Sequence, residues 1–169
     1  MRLFISFLII VICCSCSKEI KEKNYISKDI EIDYPKGWKI TDQEDFGTGK
    51  YFAIEKSGFN ASGVVTISLL ESDYDLEKWI KLNIEQLKSS FILKKADVKF
   101  GKIVKTKFQN LDALSSEYKM KLLGLDHSGI IYVFSKNGKI FAFMQQGADE
   151  DNNENEEAFI HLKNNLIIK

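Results

Sequence analysis

Beyond its first sixteen residues the chain has no cysteine, and beyond residue 2 it has no arginine. All three cysteines, Cys13, Cys14 and Cys16, fall within one four-residue stretch. A disulfide framework, a four-cysteine zinc site and a cysteine nucleophile in the domain are thereby excluded. Without arginine there is no planar fork to clamp phosphate or carboxylate bidentately, which argues against nucleotide, nucleic-acid and phosphosubstrate binding. No glycine-rich phosphate loop is present either. The 24 basic and 24 acidic residues cancel, leaving no global excess to attract a polyanion. Proline occurs once and histidine twice. What is plentiful is apolar: 44% of the 169 residues are hydrophobic and 12% aromatic, enough for one real core and too much for a disordered chain.

The first residues set the expected location. Arg2 precedes a ten-residue apolar run, Leu3 to Ile12. That is half the length a membrane-spanning helix needs and is suited to a signal-peptide core. The stretch that follows, ICCSCSK, resembles the lipobox of bacterial lipoproteins, with Ser15 as the small residue before an acylated Cys16 and Cys14 as the alternative. The resemblance implies a signal peptide over 1–15, a lipidated N-terminus and polar tether over 16–25, and one domain over 26–169. Several acyl chains on one cysteine anchor firmly, at about 0.8 kcal/mol per buried methylene. Ser17 at the position after the cysteine favours, by resemblance to retention rules, an outer-membrane destination in the bacterial cell envelope.

Along the domain, Ile30, Ile32 and Tyr34 alternate with charged residues, as in a strand with one solvated face. Pro35-Lys36-Gly37 turns the chain after it. Tyr51 to Glu55 and Val64 to Leu70 read as further strands. Leu114, Ser116, Tyr118, Met120 and Leu122 form one face of a longer strand whose other face is Ser115, Glu117, Lys119 and Lys121. Ile130–Phe134 and Ile140–Met144, apolar on both faces, are joined through Asn137-Gly138, a strong hairpin signal. Strands of that kind sit centrally, covered above and below. Two helices can cover them. One places Leu76, Trp79, Ile80, Ile84, Leu87 and Phe91 in a single arc behind an Asp75 cap. The other, over 154–164, carries Ala158, Phe159 and Leu162, with Leu166 just beyond. The expected class is α+β, an antiparallel sheet sandwiched between helices in three layers.

The order strand, Tyr34-Pro35-x-Gly37-Trp38 turn, strands, helix opening Asp75-Leu76-Glu77-x-Trp79-Ile80, long strand, hairpin, and terminal helix before Leu166-Ile167-Ile168 resembles the PsbP-like family. The resemblance spans nearly all of 26–169. It implies a sheet between helical layers and a mostly non-enzymatic membership, and it carries over no functional residues.

Individual candidates follow from this frame. Asp126-His127-Ser128 has the residue types of a hydrolase triad, but neighbours in one segment cannot act as nucleophile, base and orienter together; the expectation is a polar turn between Leu125 and Ile130. His161 reads as a boundary residue of the terminal helix. Asp149, Asp151 and Asn153 mimic the start of a calcium loop, yet Glu154 occupies its glycine position and Ile160 its bidentate glutamate. No cofactor or metal is expected. Lys88 to Lys107 holds seven lysines and one acid, against six carboxylates in Asp149 to Glu157. Lys94, Lys95, Lys99, Lys102, Lys105 and Lys107 therefore form either an electrostatic contact face or a lysine-protected sheet edge, and whether the two charged segments meet decides what each pairs with. The sequence points to a lipid-anchored, non-catalytic binding or scaffold domain with a protein partner. A carrier of a small apolar ligand between sheet and helix, which requires a lined cavity of several hundred cubic ångströms, on the order of known ligand pockets, stands as the alternative. A hydrolase with an unrecognised site comes third.

Overall fold

The computed structural model describes residues 23–59, 61–72, 74–89 and 97–169. The signal segment, Cys14, Cys16, Phe91, Lys94 and Lys95 lie outside the described residues. In chain order the elements are β1 (Lys23–Ile26), β2 (Ile30–Tyr34), β3 (Trp38–Asp45), β4 (Gly49–Lys56), β5 (Val64–Leu70), α1 (Leu76–Ser89), β6 (Lys99–Phe100), β7 (Val104–Phe108), β8 (Leu111–Leu122), β9 (Leu125–Lys136), β10 (Lys139–Ala148), α2 (Asn152–Asn164) and β11 (Leu166–Ile168). The main sheet has the order β3-β4-β5-β10-β9-β8-β6, with β7 also paired to β8, and β1-β2-β11 make a small second sheet. The strand pairs are antiparallel.

The two-sided apolar runs of β9 and β10 sit in the middle of the sheet because each of their faces needs cover. On one face α1 buries Ile80 and Ile84 against Leu114, Tyr118, Met120, Ile131, Val133 and Ala142. Asp75 caps this helix as expected: its Oδ1 accepts from the N–H groups of Glu77 (2.8 Å) and Lys78 (3.2 Å). On the other face lie α2 and the small sheet, which contribute Phe159, Leu162, Ile30, Ile32, Leu166 and Ile168. The expected three layers are therefore present, with the third made jointly by a helix and a three-stranded sheet. An aromatic stack centres that side, with Phe108 stacked on Phe134 at 4.2 Å and Phe134 on Phe141 at 5.3 Å.

Two local readings are corrected, and one strand that had not been read is added. β1 pairs with β2 at Lys23, opposite Tyr34, so Lys23, Asn24 and Tyr25, taken as tether, are part of a strand. Tyr25 explains this, its ring packing edge-on to Phe52 at 5.3 Å. Residues 38–45 form a strand although they are mostly polar, because β3 is an edge strand that buries little beyond Trp38 and shifts register between Ile40 and Asp42. Asp126, His127 and Ser128 lie within β9, paired to Lys121, Met120 and Lys119. The turn is Leu123-Gly124, both at positive φ (53° and 88°).

Candidate functional site

The α2 layer does not cover the whole sheet. α2 docks over the β5–β10 half, where Gly147 lets it approach closely: a Cβ there would meet Asn155 Nδ2 at 2.6 Å. Asn155 is fully buried, and Ser62 Oγ fixes the helix start by donating to Asp151 (2.7 Å) and accepting from Ala148 N–H (2.9 Å). Away from the β8–β9 turn this face is covered as well, with Phe108, Ala113 and Phe134 buried in the same core, but near that turn β8 and β9 are left open. Between them and α2 lies a cleft of about 660 Å³.

Register sets out the floor of this cleft in rows. Glu117 pairs with Ile130, which pairs with Gln145; Lys119 pairs with Ser128, which pairs with Gly147. All these residues but Gly147, together with Tyr132, line the cleft. The far wall is α2, whose Asn152, Glu156 and Phe159 share one helix face at spacings of four and three. The near wall is the sheet edge at Lys99, Phe100 and Gly101. Lys163 lies over the Tyr132 ring at 4.6 Å, a cation–π contact flanking the floor.

The lysine-rich and acidic segments therefore face one cleft, with Lys99 on one side and Glu156 on the other, while Lys99 itself pairs with Asp97 at 3.0 Å. Lys102, Lys105 and Lys107 are exposed along the β6–β7 edge outside it. Lys107 pairs locally with Asp112 at 2.6 Å, and this edge has the lysine-studded form that discourages unwanted strand pairing. The acidic segment finds a separate partner in Lys56, 2.7 Å from Glu154.

The triad-like residues do not converge. Strand alternation puts Asp126 and Ser128 on the cleft side of β9 and His127 on the α1 side. His127 is 7% exposed and its Nδ1 has no hydrogen-bond partner among the described residues, while Asp126 lies 3.7 Å from Lys121. His161 is half-buried on α2, beyond the opposite face of the sheet. Asp149 and Asp151 belong to a 3-10 turn that runs straight into α2, which winds the calcium-loop positions onto a helix. Among the described residues no group of three His, Cys, Asp or Glu is placed to hold a metal ion. Tyr118, behind the floor, donates to Gln146 Oε1 at 3.1 Å, and burial pushes its phenol well above the usual range. It stays a neutral donor.

Elsewhere, Asp29 forms a buried ion cluster with Lys50 (2.6 Å) and Lys139. It joins the small sheet to β4 and β10 at the end of the domain away from the β8–β9 turn. Neither this cluster nor the cleft was signalled by any local motif. Glu117 and Lys119 look like an ordinary solvated strand face, and only the position of α2 makes them a floor.

This architecture, an antiparallel sheet between α1 and a mixed α2 layer, is that of an α+β sandwich. It is similar to the solution structure of cyanobacterial PsbP (CyanoP) from Synechocystis, with a TM-score of 0.62 and 13% identity over 92% of this chain and 97% of that one. LpqN of Mycobacterium tuberculosis, described as involved in cell envelope biogenesis, matches with a TM-score of 0.51 and 13% identity over 89% of this chain and 92% of LpqN. A Bacteroides thetaiotaomicron protein matches with a TM-score of 0.54 and 15% identity, covering 87% of this chain and 48% of its own length. No family model and no curated protein matches the sequence. The chain has the PsbP-like fold.

Proposed function

We propose that this is a lipid-anchored protein of the bacterial cell envelope whose domain binds a protein partner in the cleft between the sheet and α2, without catalysis. The cleft itself carries the reading. It is open, sets apolar Ile130 on its floor against Phe159 on its α2 wall, and is lined by charges of both signs, Lys99 and Lys119 against Glu117 and Glu156. Such a surface fits a partner segment that inserts an apolar side chain and pairs charges around it. The splitting of Asp126, His127 and Ser128 between two faces supports a binding role. Cys16 supplies the anchor, and the involvement of LpqN in cell envelope biogenesis favours the same setting. No helix among the described residues is long and apolar enough to cross a membrane.

A small-ligand carrier is the second reading, favoured by one observation: a volume of about 660 Å³ lies in the range of ligand pockets, roughly 300–1,000 Å³. The two readings differ in what is bound and where charge matters. In cells fed radiolabelled palmitate, the wild type should carry label and Cys16→Ala should lose both label and membrane association; persistent label in that variant would move the anchor to Cys14. In a pull-down of the anchored protein from its native envelope, reversing Lys99 and Lys119 to Glu should release the partner, whereas reversing Lys102 and Lys105 should not. Equal effects of both pairs would locate binding on the edge instead of in the cleft. Recovery of a small apolar molecule with no protein would favour the carrier.

A further inference from the structure

The end of the domain at which Lys23 lies is also the end that carries the two most exposed large apolar side chains among the described residues. Lys23 lies opposite Tyr34, and the turn after Tyr34 touches the β4–β5 loop, where Ser57 N–H donates to Gly37 O at 2.6 Å. Phe59, in that loop, is fully exposed. Along the same rim, Val64 pairs with Gln146 and Gln146 with Gly129, a few residues from the β8–β9 turn. At that turn Leu123 is 96% exposed, followed by Leu125 at 41%.

Leu123 is unusual in a second way. The β8–β9 and β9–β10 hairpins close with the same backbone, Leu123-Gly124 at φ 53° and 88° and Asn137-Gly138 at φ 53° and 72°. The second uses the residue such turns favour; the first holds a leucine in a left-handed conformation that side chains other than Asn and Asp rarely adopt. The folded domain gains no burial from it. A strained, fully solvated leucine is explained by a contact outside the domain.

The anchor proposed at Cys16 brings a surface for that contact within reach. Cys16 and Lys23 are seven residues apart, a span of at most about 25 Å when fully extended. We infer that the β8–β9 tip, with Leu123 as its leading side chain and Phe59 farther along the same rim, rests in the membrane surface to which Cys16 anchors the protein. This rests on the anchored reading above. The contact is apolar: Lys119 and Lys121 on the hairpin share the rim with Asp126 and with the acidic turn Asp149–Asp151, so the rim has no positive excess to select anionic lipid. The cleft then opens beside the bilayer, toward partners in or on it.

The experiment uses acylated full-length protein on phosphatidylcholine vesicles with brominated acyl chains. The mature chain has no cysteine besides Cys16, so a single environment-sensitive label can be placed at Leu123→Cys, Phe59→Cys or, as control on the opposite end, Asn137→Cys. Labels at 123 and 59 should shift to the blue and lose most of their emission to bromine, while the label at 137 keeps its own. Leu123→Asn, which installs the Asn-Gly pair of the other hairpin, should leave folding intact and reduce quenching at 59. Protein that floats with the vesicles while the label at 123 remains in water would overturn the tip contact and spare the anchor. Protein that does not float at all overturns the anchor and the contact with it. A lipid-independent, concentration-dependent blue shift would assign the tip to a second copy of the chain instead.

Discussion

Gly129→Val should unfold most of the protein at physiological temperature, and Gly129→Ala should lower its stability by about 3 kcal/mol, the upper range for overpacking a well-filled core. The expectation comes from what covers this residue. Tyr118 is directly opposite Gly129 in the β8–β9 register, is 2% exposed, and lays its ring across the strand to reach Gln146 of β10. A Cβ on Gly129 would fall 2.4 Å from Tyr118 Cζ, 2.5 Å from its Oη and 2.7 Å from the backbone oxygen of Gln145. The ring cannot swing aside, because Phe100 packs on it at 5.4 Å and its hydroxyl would lose the Gln146 acceptor inside the core. Chemical denaturation of Gly129→Ala and of the double variant Gly129→Ala/Tyr118→Phe separates these causes. If steric conflict with the ring dominates, both remain strongly destabilised. A wild-type midpoint for Gly129→Ala would contradict this account of the central strands.

Asp29→Asn should cost about 3 kcal/mol, the lower part of the range for breaking a buried charge cluster, since Lys50 and Lys139 retain 22% and 17% side-chain exposure. Two ammonium groups would be left facing a neutral amide. The hydrogen bond from Lys139, followed by that from Lys50, holds the Asp29 carboxyl below its ordinary 3.8, and Asp29 in turn holds both lysines above their ordinary 10.5. The pH dependence follows from those directions. A carboxylate with a lowered folded pKa contributes stability that is present above its unfolded value and lost as pH falls through the folded one. A lysine with a raised folded pKa contributes stability that is present below its unfolded value and lost as pH rises through the folded one. The difference in denaturation midpoint between wild type and Asp29→Asn should therefore be flat from about pH 5 to pH 9 and shrink below about pH 4. Replacing all three members with apolar residues of similar size should recover much of the loss. A midpoint difference that does not change on acidification would show that Asp29 acts through shape and not through charge.

How much of this was legible beforehand depends on whether the signal was local. Helix α1 was readable because its apolar arc, its Asp75 cap and its charged outer face agree within fourteen residues. The β9–β10 hairpin was readable because Asn137-Gly138 states its turn chemistry outright. The β8–β9 hairpin has the same backbone but writes it as Leu123-Gly124, so the polar residues after it were taken for the turn. β3 was missed because an edge strand needs few buried residues and its register shift interrupts the alternation. The cleft was illegible for a different reason. Its floor comes from strands whose polar faces look merely solvated, its wall comes from a helix far along the chain, and its extent depends on how closely Gly147 lets α2 approach β10.

The claim that this open cleft is the binding surface is tested most directly by placing a photo-crosslinking amino acid at Ile130, on the cleft floor, in the anchored protein within intact cells, with Leu82 on the outer face of α1 as the matched control. Illumination should join the chain through position 130 to one discrete envelope protein, and the adduct should disappear when Lys99 and Lys119 are reversed to Glu, while position 82 yields no such product. A chain that crosslinks to the same protein through position 82, or gives no protein adduct through position 130, would contradict the account.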